Sequence, residues 1–357
     1  MKKDLIRPAK YNDFETIKQI FGVAFDEEYK QRGVDIVQRI SKLQQFYPVL
    51  KVLAIFPNPY QHIFNVYVYE QEEKVIGLIQ ISPRNKEQTQ WHIENIAVLP
   101  DYRGRGIAHD LINYVCETYG KKGALRFTLE VDIKNKSVIK LYESLGFRHY
   151  CTVYYYRLPV SKATGKLPEN ISLPFSIRPY KSSDCHALFD LYMASIPVEL
   201  RTVEQRVLAD FQENTFEYFY KHLKEQLKYS GNEHLVIENP KNKSDIIASL
   251  TITAQYRKLP HVIRVLIHPA YNEMLTEKLI NYAISYLSKY PPRQILIAAL
   301  EQQKEKRNAL ETLNFKHITA DYMMVRDNLL ILKLPQKENV VSLEGQSALK
   351  PLFKQHE

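Results

Sequence analysis

Ile96, Ala97 and Val98 read as a buried strand, Pro100 ends it, and Ile107 to Thr118 then carries apolar residues at helical spacing. Between strand and helix stands Arg103-Gly104-Arg105-Gly106, whose glycines leave the backbone bare where the helix begins. The first amides of a helix have no intrahelical acceptor and carry the positive end of its dipole, so this turn is a candidate phosphate cradle. Neither the Gly-x-x-x-x-Gly-Lys-Ser/Thr loop nor the three-glycine dinucleotide fingerprint fits it. Downstream, Arg126 to Val131 predicts a further strand, and Asn135 to Leu145 predicts a short helix closed by Gly146.

The pattern then repeats. Ile6-Arg7-Pro8 followed by Asp13 returns at the same spacing as Ile177-Arg178-Pro179 followed by Asp184. Leu111-Ile112-Asn113-Tyr114 returns as Leu279-Ile280-Asn281-Tyr282, Pro100-x-Tyr102 as Pro269-x-Tyr271, and Leu145-Gly146-Phe147 as Leu313-Asn314-Phe315. A repeat of this length means two copies of one fold. The expected organisation is a domain over 1–158, a linker rich in Pro and polar residues over 159–175, a second domain over 176–334 and a tail over 335–357. In the second copy the glycine turn is replaced by Asn272-Glu273-Met274-Leu275, one residue shorter, so charge and bulk both oppose a phosphate there. Tyr142, Asn135 and Glu130 become Leu310, Gln303 and Ala298. Chemistry is therefore expected in the first copy only.

Arg103-Gly104-Arg105-Gly106-Ile107-Ala108 fits Arg/Gln-x-x-Gly-x-Gly/Ala, and Glu94 to Ala108 resembles the acyl-CoA-binding motif of the GNAT N-acetyltransferase superfamily. Asn135 to Phe147 is similar to that family's second cofactor motif, Asn-x-x-Ala-x-x-Leu-Tyr-x-x-x-Gly-Phe, with Val138 at the small-residue position. The resemblance covers Leu5 to Leu158. It implies an α/β (α+β) fold of two tandem GNAT-like domains, each a mixed, bent sheet flanked by helices and splayed between its fourth and fifth strands. It also implies acetyl-CoA as cosubstrate. The pantetheine arm would pair with the strand Ile96, Ala97, Val98, the pyrophosphate would rest on Arg103, Gly104, Arg105, Gly106, Ile107 and Ala108, and Asn135 would contact the arm.

Direct acetyl transfer needs a neutral amine, yet an alkyl amine has a pKa of about 10.4, so a proton acceptor must stand nearby. His92, Glu94 and Ile96 share one face of their strand if no bulge intervenes. Glu94, through a water, is the first choice as base, His92 is the second, and Glu130 competes from the next strand. The resemblance implies that Tyr142 protonates the departing thiolate. A backbone N–H near Val98, freed by a bulge, would polarise the thioester carbonyl.

The resemblance implies an acceptor pocket built from 26–59 and 148–158, regions that with their edges are aromatic through Phe25, Tyr29, Phe46, Tyr47, Phe56, Tyr60, Tyr154, Tyr155 and Tyr156. Such walls suit a cationic acceptor, a small-molecule or peptide amine, although core and domain interface explain most of them. The net charge of +9 is spread and interleaved with acids, which gives no nucleic-acid surface. Cys116, Cys151 and Cys185 are scattered and read as packed thiols; no metal site is expected. Without a membrane-length apolar run or a signal-type block, the expectation is a cytoplasmic monomer or homodimer. Two rival readings stand beside the N-acetyltransferase: a non-catalytic, CoA-responsive binding or regulatory protein, and an aminoacyl-tRNA-dependent transferase of Fem type, for which no basic groove is found.

Overall fold

The recurring Ile-Arg-Pro signature turns out to be a structural clamp. In the computed structural model, which describes residues 5–31, 40–41, 44, 65–160, 174–212, 230–242, 244–256 and 259–328, strand β1 (Ile6–Pro8) is followed by a turn at Lys10–Asp13 and helix α1 (Phe14–Gln31). Arg7 bonds both carboxylate oxygens of Asp13 (2.7 and 3.0 Å) and also holds Glu70, while the Lys10 amide donates to Asp13 Oδ2 at 2.6 Å. Arg178, Asp184, Glu238 and the Lys181 amide rebuild the same clamp in the second copy.

Burial of Asp13 works against its charge, but the Arg7 bonds and the Lys10 amide outweigh it and hold the carboxyl below its usual 3.8. A folded-state pKa that is depressed in this way stabilises the protein above the unfolded value, and the contribution is lost as pH falls through the folded one. Asp13→Asn should therefore cost about 1–3 kcal/mol at pH 7 and much less near pH 3, read by urea unfolding at both pH values. An equal loss at both pH values would remove the ionic part of the argument.

The first half continues with β2 (Val66–Gln71), β3 (Lys74–Pro83), β4 (Gln90–Val98), α2 (Ile107–Gly120), β5 (Arg126–Asp132), α3 (Lys136–Ser144) and β6 (Arg148–Leu158). The second runs β7 (Ile177–Pro179), α4 (Cys185–Ser195), α5 (Val198–Glu204), β8 (Ser230–Glu238), β9 (Ile246–Gln255), β10 (His261–Ile267), α6 (Asn272–Leu287), β11 (Ile295–Leu300), α7 (Lys304–Thr312) and β12 (Lys316–Asp327). Outside the segments between α1 and β2 and between α4 and β8, the two orders match element for element among the described residues. Helices α3 and α7 end alike. Gly146 (φ +82°) and Asn314 (φ +63°) take the left-handed position, and Phe147 and Phe315 donate back to Tyr142 O and Leu310 O. Glycine and asparagine tolerate that backbone best, which is why Leu-Gly-Phe could become Leu-Asn-Phe without loss of the cap.

All twelve strands form one sheet in the order β1-β2-β3-β4-β5-β12-β6-β11-β10-β9-β8-β7. The halves have exchanged their last strands. β12, the end of the second copy, pairs antiparallel with β5 of the first, and β6 pairs antiparallel with β11 of the second. The two exchanged strands pair with each other at the centre. The sheet thus extends through both copies, rather than each copy closing its own edge.

One face carries α2, α3, α6 and α7. Ile79, Ile81, Leu111, Val115, Phe127 and Leu129 bury its core in the first half, and Leu279, Ile280, Ile297 and Leu310 bury it in the second. The other face carries α1, through Phe14, Ile17 and Ile20 against Val68 and Leu78, and α4, through Leu191 against Val236. Among the described residues no helix is long and apolar enough to cross a membrane.

Candidate active site

β4 and β5 run parallel and are paired only from Gln90–Arg126 to Ile93–Leu129; beyond these the strands part. The pairing stops where β4 bulges. Ile93 faces Ile81 on β3, but Asn95 faces Gln80, so Glu94 is an extra residue in the ladder. The bulge corrects the expected alternation: His92 lies on the α1 face, while Ile96 packs with Val98 on the α2 face. The bulge expected near Val98 falls instead at Glu94.

Past the bulge, the Leu99 amide bonds Ile76 O at 2.9 Å. Backbone groups alternate along an antiparallel strand, so the N–H and C=O of Ile96 and Val98 point away from β3 into the opening. An extended amide-bearing chain can pair there as an added strand, as was expected of this strand. Arg103 Nε now donates to Val98 O at 3.1 Å.

At the mouth of the opening α2 starts from Gly106, which is left-handed (φ +81°), as is Gly104 (φ +76°). A Cβ at either would meet nothing within 4 Å, so the approach is open, and a side chain would both obstruct it and strain the backbone. The Asp110 amide is the first to bond back, to Gly106 O at 3.0 Å, which leaves the amides of Ile107, Ala108 and His109 aimed outward. Arg103 and Arg105 flank the turn and are exposed; Arg105 bonds Asp101 O (2.9 Å) and lies over the Tyr102 ring. This cradle fits a pyrophosphate.

Residues 39–147 match the family model described as "Acetyltransferase (GNAT) family". Over these residues the first half is similar to that family. The N-alpha-acetyltransferase MAK3 of Arabidopsis thaliana is 34% identical over 86 residues, which are 24% of this chain and 45% of that protein. The chain thus spans less than half the length of that curated relative. Among solved structures, a GCN5-related N-acetyltransferase from Sphaerobacter thermophilus superposes with a TM-score of 0.59 at 11% identity, covering 90% of this chain and 95% of that one. A tandem GNAT protein from the clavulanic acid biosynthesis pathway gives 0.50 at 10% identity, covering 74% and 82%. These two likenesses establish the fold.

The second copy has the same splay and a different mouth. β10 pairs with β11 only from His261–Ile295 to Ile263–Ile297, but α6 begins at Asn272, directly after the Pro269–Tyr271 turn. No glycine turn remains, and Leu275 is fully buried at Ile107's place in the repeat. The edge is blocked as well. Ile267 is the counterpart of Val98, and its carbonyl lies 2.9 Å from the Ser195 hydroxyl at the end of α4. At Val138's place stands Lys306, whose amine burial pulls down to about 8.

In the first half the three candidate bases meet on the α1 face. Glu94, re-aimed by its bulge, accepts Ser82 Oγ at 2.5 Å and remains exposed. His92 is buried with Nδ1 2.9 Å from Thr128 Oγ1; burial first, and Arg84 second, push its pKa well below 6.5. It is neutral at pH 7 and a weak base. Glu130 accepts the Tyr155 hydroxyl at 2.8 Å and faces Arg84 Nη2 at 3.8 Å, so its carboxylate is already engaged.

Tyr142 is 4% exposed and packs against the Phe147 ring at 5.9 Å, on the α2 face. Asn135 caps α3: its Oδ1 takes the Val138 amide (3.4 Å) and the Ser137 hydroxyl (3.2 Å), a structural duty that the cofactor motif alone does not reveal. Among the described tyrosines expected to wall the acceptor pocket, Tyr155 turns to the α1 face, while Tyr154 and Tyr156 pack into the core beneath α6 and α7. Phe46, Tyr47, Phe56 and Tyr60 lie outside the described residues, as do the side chains of Phe25 and Tyr29. Ser82, Arg84 and Tyr150 escaped sequence reasoning, because what assembles them is the β3–β4 hairpin and a bulge in β6, and neither leaves a motif.

Cys116 and Cys151 are buried, and burial pushes their thiols up to about 12 and about 11. Both should resist thiol reagents. Among the described residues no group of three or more His, Cys, Asp or Glu could hold a metal ion.

Proposed function

We propose that this chain is an acetyl-CoA-dependent N-acetyltransferase that acetylates a primary amine of a small molecule or peptide, with its active site in the first half. The observation that carries the proposal is the pairing of an open cradle at Gly104–Gly106 with the unpaired β4 edge leading from it to Glu94. The cosubstrate supplies a thioester activated for acyl transfer. Amides 107–109 and Arg103 hold its phosphates, Arg103 leaving Val98 O to do so, and Ile96 and Val98 bind its arm.

The amine enters from the α1 face. Glu94, through a water, takes its proton; Ser82 fixes the carboxylate and the bulge aims it. Glu94 is preferred over Glu130, which Arg84 and Tyr155 already engage, and over His92, which is buried and weakly basic. Tyr142, from the opposite face, returns a proton to the leaving thiolate. The relative described as an N-alpha-acetyltransferase supports a peptide amine as one acceptor class.

Acetyl-CoA should bind with a stoichiometry of one per chain, and Gly106→Glu should abolish binding by placing a carboxylate against the phosphates. Titration calorimetry decides it. A value near two, or binding that survives Gly106→Glu, would contradict the one-site reading.

A further inference from the structure

Among the described residues, the stretch 195–212 carries the second half onto the acceptor face of the first. Ile196 and Leu200 of this stretch pack on Cys151 of β6 and Met323 of β12. At the far end of α5, Thr202 O and Val203 O each accept Arg126 Nη1 at 2.6 Å. Beyond α5, Arg206 Nη1 donates to Arg84 O at 2.7 Å and the Lys86 amide donates to Asp210 Oδ1 at 3.1 Å. Helix α5 is tied on both sides to the strands and the hairpin that frame the candidate bases.

Glu204 ends this helix, half-buried. Its Oε2 accepts the Tyr192 hydroxyl at 2.6 Å, and among the described residues it forms no ion pair with a Lys or Arg. Between Glu204 and Glu130 stands Tyr150. The β6 register jumps from Cys151 opposite Met323 to His149 opposite Met324, so Tyr150 is the bulged residue and packs toward α5 beside Cys151. Burial, then the charge of Glu204, and more weakly that of Glu130, push its phenol up, against Arg84. One phenol therefore feels a carboxylate from each half.

We infer that α5 is an acceptor-specificity element lent by the second half, and that the acceptor is an amine with a second cationic group, which Glu204 holds while the first amine reacts. Arg206 reaches the same Tyr192 hydroxyl but does not pair with Glu204 directly. A half-buried carboxylate without a direct ion pair attracts a cation more strongly than a solvated one does, because the local dielectric is lower. The inference rests on the proposed function. It gives the second half a role in choosing the substrate, although that half has lost its own cradle.

The test uses the full chain, acetyl-CoA and thiol release, with two matched acceptor pairs: pentylamine against 1,5-diaminopentane, and Ala-Gln-Ala against Ala-Lys-Ala. The wild type should favour the doubly cationic member by about tenfold in kcat/KM, and Glu204→Gln, which can still accept from Tyr192, should erase the preference through KM while acetyl-CoA affinity holds. Tyr192→Phe should keep the preference. No preference in the wild type, a preference that survives Glu204→Gln, or its equal loss in Tyr192→Phe overturns the inference. Turnover of neither pair also overturns it, and the proposed function still stands if acetyl-CoA binds and other amines are acetylated.

Discussion

A chain ending at Val160 should aggregate rather than yield a smaller active enzyme. Its last strand, β6, would lose both neighbours, β11 and β12, and β5 would lose its β12 partner along its whole length from Arg126 to Asp132, keeping only the short pairing with β4. Met324, Val325 and Ala320, each at most 1% exposed, would vanish from the buried centre, together with the Asp327 bridges to Arg126 and Arg148 and the Thr319 bond to Asp132. An apolar, unpaired edge in mid-sheet is a template for pairing with other chains. The fragment should therefore elute as large assemblies in size-exclusion chromatography and lose at least about a hundredfold in activity, because the strand beside Glu130 is gone. A monomeric fragment with full activity would show that β6 can take β12's place beside β5, and that the exchange is dispensable.

Tyr142→Phe should lower kcat by roughly a hundred- to ten-thousand-fold, with acetyl-CoA affinity nearly unchanged. The ring is buried against Phe147, so phenylalanine keeps the packing and removes only the hydroxyl. Glu94→Gln should act differently. Its deficit should be greatest at low pH, where the amine is protonated and needs the base, and should shrink as pH rises toward the amine's own pKa of about 10.4. Steady-state kinetics from pH 6 to 9.5 measure both. An unchanged kcat in Tyr142→Phe returns that residue to packing, and a pH-independent loss in Glu94→Gln passes the role of base to Glu130 or His92.

The cradle was legible in the sequence because its chemistry is local. Glycines at 104 and 106, a strand before them and a helix after them suffice to free the backbone amides, and the φ angles of +76° and +81° bear that out. The repeat was legible for the same reason. Arg7 with Asp13, Arg178 with Asp184, and the left-handed caps at Gly146 and Asn314 are all made within a few residues of chain.

Side-chain direction on β4 was not legible. One bulge, at Glu94, sends His92 and Ile96 to opposite faces, and a bulge is set by how β3 and β4 register, which no residue pattern in β4 records. Arg84 and Tyr155 were hidden for a related reason: their partner Glu130 lies 46 and 25 positions away, across strands whose order is decided by the sheet as a whole, and Glu204 meets Tyr192, 12 positions back, only through the packing of α5 on α4. The exchange of β6 and β12 is the clearest case. Both are alternating strands that could satisfy either edge, and local propensity is the same in each arrangement. The sequence by itself therefore determined two copies of one fold and an open glycine turn at the start of a helix in the first, since both depend on near neighbours. Only the tertiary structure decided that the copies share one sheet and that the second packs against the α1 face of the first, because strand pairing and its register are settled by contacts between residues far apart in the chain.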